Sequence, residues 1–389
     1  MKHYPVIIIG GGASGLFLSS LMKESLLLEK NAECGKKLLV TGGGACNITH
    51  DEAPRDLVLH YHEKKNFVST AIFSLPPERI REYFASLGVE TYIREDGKVF
   101  PTTDDAHTVR DALLNGGRIV TGYEVRTLKK RDDLFIINDE FTADAVVIAT
   151  GGIVFPQTGS TGDGYRLARQ FGHTIVPLRS ALCEIRVDRD TSALEGISLE
   201  SATLKVGKHT MSGPLLFTRR GISGPVALNL SRYVEGETDI VLKLCDISAV
   251  EIKAENGKAK CANALHHITG LPQRLIDNII PSKDRNIASL TREDIGKIIE
   301  VLTAWKLKGN TREQTRYAMV TCGGVSTKEI ESRTMESRLC RNLYIVGETL
   351  DVDGETGGYN LSFAFASSYL AYQRIGVNSH QARPLGLLV

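Results

Sequence analysis

Pro5-Val6-Ile7-Ile8-Ile9-Gly10-Gly11-Gly12-Ala13-Ser14-Gly15 carries an apolar run into glycine and out again into a helical pattern from Leu16 to Lys23. A continuous apolar run bounded by glycine predicts a strand buried on both faces, as in a parallel sheet. Leu26-Leu27-Leu28-Glu29 predicts a second strand that ends on an acid. Gly10, Gly12 and Gly15 hold a G-x-G-x-x-G spacing: the first allows a tight turn, the second lets backbone approach a pyrophosphate, and the third lets helix pack on strand. Ala13 and Ser14 stand where helix N–H groups and the positive dipole end meet phosphate. Glu29 is placed to accept hydrogen bonds from ribose hydroxyls, and an acid there disfavours a 2′-phosphate. Strand, glycine loop, helix and acid together predict a bound dinucleotide; the alternative is a purely structural turn. The motif alone does not separate FAD from NAD.

Outward from this unit, Asp144–Thr150, ending on Gly151-Gly152, and Asn342–Val346 predict further buried strands. Helices are predicted over Glu78–Leu87, with Pro76-Pro77 ahead and Gly88 behind, over roughly Ala106–Leu114, and over Leu361–Tyr372. From about Ser180 to Asp246 short alternating segments such as Ala202–Val206 and Asp239–Leu244 predict an antiparallel sheet or small barrel. From Ile247 to Lys306 the apolar spacing is helical, and Thr291 with Asp294 forms a capping-box start. The expected organisation is an α/β, Rossmann-like domain from residues 1–180 plus 320–389. A β-rich insert spans 181–246 and 307–319, and a helical insert spans 247–306.

The 389 residues are 42% hydrophobic and 24% charged, which suits a globular protein of two or three domains. Forty-seven basic against 46 acidic residues leave a net charge of +1, so no global field recruits nucleic acid or anionic membrane. Cys34, Cys46, Cys183, Cys245, Cys261, Cys322 and Cys340 form no C-x-x-C pair, which disfavours a zinc ribbon or disulfide scaffold and points to a reducing, cytoplasmic setting. Tyr4–Met22 lacks charge, but Gly10, Gly11, Gly12 and Gly15 interrupt it, and no membrane span is expected. His266-His267 lacks partners at ligand spacing, so no metal is expected. Lys36-Lys37, Lys129-Lys130-Arg131 and Arg219-Arg220 read as solvated charge or as parts of an RNA-facing patch.

Six further strings turn this reading into a resemblance: Gly35 to Asn47, Ala149-Thr150-Gly151-Gly152, Thr158 to Tyr165, Gly221-Ile222-Ser223-Gly224-Pro225, Gly347-Glu348-Thr349-Leu350-Asp351 and Gly357-Gly358-Tyr359-Asn360-Leu361. In this order they resemble the HI0933/YhiN-like (BaiN/RdsA-like) FAD-dependent oxidoreductases over nearly the whole chain. The resemblance implies a two-dinucleotide-binding FAD domain with inserted β-barrel and small helical domains. It implies noncovalent FAD held by Gly10, Gly12, Ala13, Ser14 and Gly15, by Glu29 and Lys30, and by Lys37, Gly42, Gly43, Gly44 and Asn47. Thr150, Gly151, Gly347, Glu348, Gly358, Tyr359, Asn360 and Leu361 complete the set, with Val125 where such folds offer backbone to adenine. A helix opening at Gly357–Asn360 would turn its amides toward the flavin edge that gains negative charge on reduction.

Cys46 lies in the glycine segment expected beside the flavin and is the candidate proton donor; a small buried packing cysteine is the alternative. No second Rossmann fingerprint is present, so NAD(P)H is expected as a transient co-substrate. The sequence departs from the family in two places. The stretch between the third glycine and the acid is short, and Arg219 follows Phe217-Thr218 where the family often has His, so no acid–base role transfers there. The implied reaction is hydride transfer to a conjugated C=C bond, in uridine of ribosomal RNA or in a small enone such as a bile-acid or steroid intermediate. A non-catalytic redox sensor or ribosome-assembly factor is the alternative from another class.

Overall fold

β1 (Lys2–Ile9) runs through the middle of a mostly parallel sheet in the computed structural model, which describes residues 1–312 and 314–379. Residue 313 and residues 380–389, which fall in the expected insert and chain-end domain, lie outside the described residues. On one side β1 pairs with β2 (Leu26–Leu28), Ile9 opposite Leu28; on the other it pairs with the strand Phe141–Ile148, Ile9 opposite Ile148. Arg118–Val120 extends the sheet beyond β2. The strand Phe141–Ile148 shares its far edge between two partners. Leu134–Ile137 pairs antiparallel along its first half, and Leu343–Ile345 pairs parallel along its second.

Inside the edge strand Arg118–Val120 the parallel strands are buried on both faces where they pair, as their apolar runs require: Ile7, Ile8, Leu26, Leu27, Val146, Val147, Leu343 and Ile345 expose nothing. Their carboxyl ends are in register, so the loops after Ile9, Leu28, Ile148 and Ile345 emerge along one edge. In open α/β sheets that edge is where ligands bind. α1 (Ala13–Leu21) starts three residues before the expected Leu16, because extended Gly12 ends the loop and Ala13 is already helical. The last helix, Tyr359–Ser379, packs on α1: the Phe17 and Phe365 rings lie 5.0 Å apart, and Ser368 Oγ donates to the Ser14 carbonyl at 3.0 Å.

The chain divides into two compact units, Met1–Arg179 with the segment from Val320 onward, and Ser180–Met319. The second unit holds a closed six-stranded barrel, in the order Ile185–Val187, Gly221–Ser223, His209–Thr218, Ser198–Val206, Thr238–Lys243, Trp305–Asn310. Alternation places Ala202, Leu204 and Val206, with Ile240 and Leu242 across from them, in its interior. Helices Ala249–Ala254, Cys261–Thr269, Gln273–Ile279 and Arg292–Ala304 belong to the same unit, and Thr291 and Asp294 form the expected capping box on the last. Each unit has its own apolar core. The architecture is the expected α/β fold, a Rossmann-type domain with an inserted barrel.

Candidate functional site

The glycine loop after β1 is shaped by three different constraints. Gly10 has φ +107°, and a Cβ there would lie 2.6 Å from the Ala149 carbonyl oxygen. At Gly15 a Cβ would fall 1.9 Å from the Gly10 oxygen, which is the close helix–strand approach that only glycine permits. Gly12 has neither problem: a Cβ would meet nothing within 4 Å. The protein leaves open the space where a pyrophosphate would approach the backbone. α1 has no side-chain cap and no acid in its first turn, so its leading amides and positive end are left for an anion. Glu29 is buried and fixed: Oε2 accepts from the Gly11 amide at 2.7 Å, and Oε1 accepts from the Asn31 backbone and side-chain nitrogens at 2.8 and 2.7 Å.

Other expected cofactor residues fall along the same edge. Gly42, Gly43 and Gly44 have φ of +57°, +70° and +96°, breaking the helical turn begun at Leu38 and swinging the chain toward Asn47. Asn47 Oδ1 and Thr150 Oγ1 are both buried without a hydrogen-bond partner. A buried orphan acceptor costs about 1–3 kcal/mol, so two of them at expected cofactor positions fit a polar ligand that supplies the missing bonds. Gly151 turns at φ +72° and donates its N–H to Thr349 Oγ1 at 3.1 Å, while the Gly347 N–H donates to Ser367 Oγ at 3.0 Å. Gly358 has φ +103°, and a Cβ there would lie 2.7 Å from the Thr49 backbone. Asn360 uses its side chain to close the preceding loop onto the Gly354 amide and carbonyl, both at 2.9 Å. Leu361 packs on the core.

The expected cations are engaged within the protein. Lys37 Nζ donates to both Glu348 oxygens at 2.7 and 3.0 Å, and Glu348 also accepts from the Thr321 amide at 2.8 Å. Lys30 is paired with Asp163. The Val125 carbonyl accepts from the Arg166 guanidinium at 3.0 Å. Cys46 is fully enclosed, at φ +61°, and burial pushes its thiol up to about 12 despite a hydrogen bond with Thr41. The thiol is therefore held neutral. All seven cysteines are free.

The sequence reading passed over a group that the fold brings to Tyr359: His50, Glu52, His60 and Glu355. The signal was a run rich in histidine and acid just after the glycine segment, with His50, Asp51, Glu52, Asp56, His60, His62 and Glu63.

Aligned strand ends, a glycine loop with open space at Gly12, an uncapped helix and a buried acid at the end of β2 are the features of a Rossmann-type dinucleotide-binding protein. The sequence matches the HI0933-like protein Rossmann domain over residues 4–374, and the chain belongs to the HI0933-like family of FAD-dependent oxidoreductases. A ribosomal RNA dihydrouridine synthase of Haemophilus influenzae is 31% identical, the match covering 93% of this chain and 96% of that protein. The 3-dehydro-bile acid delta(4,6)-reductase of Clostridium scindens is 32% identical, over 94% of this chain and 97% of that protein. In fold, the chain is similar to Escherichia coli quinol fumarate reductase FrdA, with a TM-score of 0.50 and 16% identity over 98% of this chain and 72% of that one. Among the described residues no helix is long and apolar enough to cross a membrane, and no cluster of His, Cys, Asp and Glu is arranged to hold a metal ion.

Proposed function

We propose that the protein binds FAD along the carboxyl edge of the sheet and reduces a conjugated C=C bond with electrons from NAD(P)H. The observation that supports this reading most is the pairing of open space at Gly12 with the unsatisfied polar atoms of Asn47 and Thr150. When bound, FAD would supply the hydride-transfer chemistry of the reduction. The chain's own residues do the rest. α1 amides at Ala13 and Ser14 hold the pyrophosphate, Glu29 takes ribose hydroxyls, and the Gly42–Asn47 and Gly358–Leu361 segments shape the flavin pocket. The last helix has no acid in its first turn, so its positive end stabilises negative charge developing beside it. Lys37 acts through Glu348, fixing the loop that follows the strand Leu343–Ile345.

For the substrate we favour uridine in ribosomal RNA. The relatives named for that activity support it, as does the exposed Arg219-Arg220 turn between two barrel strands, which is suited to phosphate contact. The bile-acid reductase relative supports the second reading, a small enone with the same C=C–C=O unit. The purified protein is expected to show flavin absorption bands near ~370 and ~450 nm that bleach anaerobically with NADH or NADPH. Undermodified ribosomal RNA, but not a 3-oxo-4-ene steroid, should then restore the colour, and restoration should weaken steeply with salt and with Arg219→Ala or Arg220→Ala. Restoration by the steroid alone would establish the second reading. A colourless protein that takes up no added FAD would end both.

A further inference from the structure

A ring stack stands at the start of the last helix. Tyr359 stacks against His60, with centroids 4.1 Å apart and 17° between planes, and against His50, at 5.1 Å and 15°. Its hydroxyl donates to Glu52 Oε1 at 3.1 Å. The same carboxylate faces both imidazoles, with His50 Nε2 and His60 Nε2 each at 3.2 Å. Glu355 takes His60 Nδ1 at 2.9 Å, and the Gly357 carbonyl takes His50 Nδ1 at 3.0 Å. Two backbone contacts hold the pieces together: the Glu355 N–H donates to the His60 carbonyl at 3.1 Å, and the Tyr61 hydroxyl donates to the Tyr359 carbonyl at 2.6 Å.

The two nitrogens of His60 are held unequally. Nδ1 is hydrogen-bonded, whereas Nε2 lies at ion-pair distance from Glu52 Oε2, a buried oxygen that has no hydrogen-bond partner. The Nε2 proton therefore sits beside a carboxylate without being aligned on it. Burial disfavours the imidazolium, but the hydrogen bond to Glu355 and the charges of Glu355 and Glu52 outweigh it, and His60 is raised from its ordinary value. Tyr359 is raised as well, first by burial and then by Glu52, and stays a neutral hydroxyl. Glu52, from the turn after Thr49–His50, and Glu355, from the loop before the last helix, are the charges facing His60. Lys64, on the same segment, is paired with Asp351.

We propose that His60 is the acid of the reduction, giving its Nε2 proton to the substrate carbon next to the one that receives hydride. The proposal rests on the FAD-dependent reading above. The stack adjoins the expected flavin contacts through the chain itself, since Tyr359 belongs to the Gly358–Leu361 segment and the Gly42–Asn47 segment leads directly into His50. In the step the C=C π bond breaks, hydride from the FAD reduced by NAD(P)H forms one C–H bond, and the released electron pair takes the His60 proton to form the second. His60 is left neutral and regains a proton from solvent, to which its side chain is 28% exposed. Glu355 and Glu52 are positioning residues that keep the imidazole charged between turnovers.

The test needs no knowledge of the substrate. Holoprotein with histidines labelled with ¹³C at Cε1 is titrated by NMR, oxidised and dithionite-reduced, and the His60 signal is identified by its loss in His60→Gln. His60 should titrate above the ordinary value of about 6.5. Reduction should raise its midpoint by roughly half a unit or more, because negative charge beside an imidazolium favours it. Glu355→Gln should lower the midpoint in both states while the flavin absorbance is kept. A coloured, reducible holoprotein whose His60 midpoint is the same in both redox states overturns this proposal alone. A protein that takes up no FAD overturns it together with the flavin reading.

Discussion

Gly12 and Gly15 lie three residues apart, yet the structure needs them for unlike reasons. Gly15 has no room for a methyl group because the Gly10 carbonyl is in the way, so Gly15→Ala must move α1 off β1. Overpacking of this kind costs about 1–3 kcal/mol or more, and the loss should appear in denaturant melts of the apoprotein. Gly12 has open space on its missing Cβ side, so Gly12→Ala should leave the apoprotein nearly as stable. Its FAD affinity, followed by fluorescence quenching, should fall at least ~10-fold, because the methyl takes the position that a pyrophosphate needs. Equal stability losses in the two variants would refute the open-cradle reading. Glu29→Gln should act similarly to Gly12→Ala on affinity. Its amide keeps an acceptor for Gly11 or Asn31 but loses the charge-assisted bonds, each worth about 1.5–3 kcal/mol.

Elements were legible in the sequence wherever their determinants are local. The helix Arg292–Ala304 announces itself through Thr291 and Asp294, three residues apart, whose reciprocal bonds are all formed. Thr291→Ala should cost about 1 kcal/mol. The two hydrogen bonds from Thr291 hold the Asp294 carboxyl below its ordinary value. A depressed carboxylate stabilises above its unfolded value and ceases to as pH falls through the folded one. The gap between wild type and Thr291→Ala should therefore narrow below about pH 4; a gap constant from pH 7 to pH 3 would show that the cap does not depend on the carboxylate. The glycine loop was legible for the same local reason. α1 was misjudged at its start because Ala13, Ser14 and Gly15 read as loop on glycine content alone, while tertiary packing makes them helix. The pairing of Lys37 with Glu348 was not legible, because Glu348 lies some three hundred residues away in sequence and no local pattern shows that they pair. The His60 stack was illegible for that reason too, since Glu355 and Tyr359 reach it from the far end of the chain.

At the scale of the whole molecule, the first unit depends on both chain ends. The strand Phe141–Ile148 is flanked by β1 from the start of the chain and by Leu343–Ile345 from near its end, so the expected cofactor edge exists only when both are in place. The second unit, Ser180–Met319, closes its barrel and its core from its own residues. Two cores of this kind predict two calorimetric transitions instead of one. Every expected FAD contact lies in the first unit, so FAD should raise only that unit's transition, by about 2.7 kcal/mol when free FAD is 100 times its Kd. A fragment of residues 180–319 should fold, melt at the temperature of the unshifted transition, and ignore FAD. If FAD moves both transitions together, the cofactor is coupled to the barrel, and the cofactor site cannot be confined to the sheet edge. If the fragment fails to fold, its core depends on the other unit and the two-transition reading falls. A single transition shift with a folded, FAD-blind fragment would place cofactor binding in the woven chain ends and leave the barrel free to vary with the substrate.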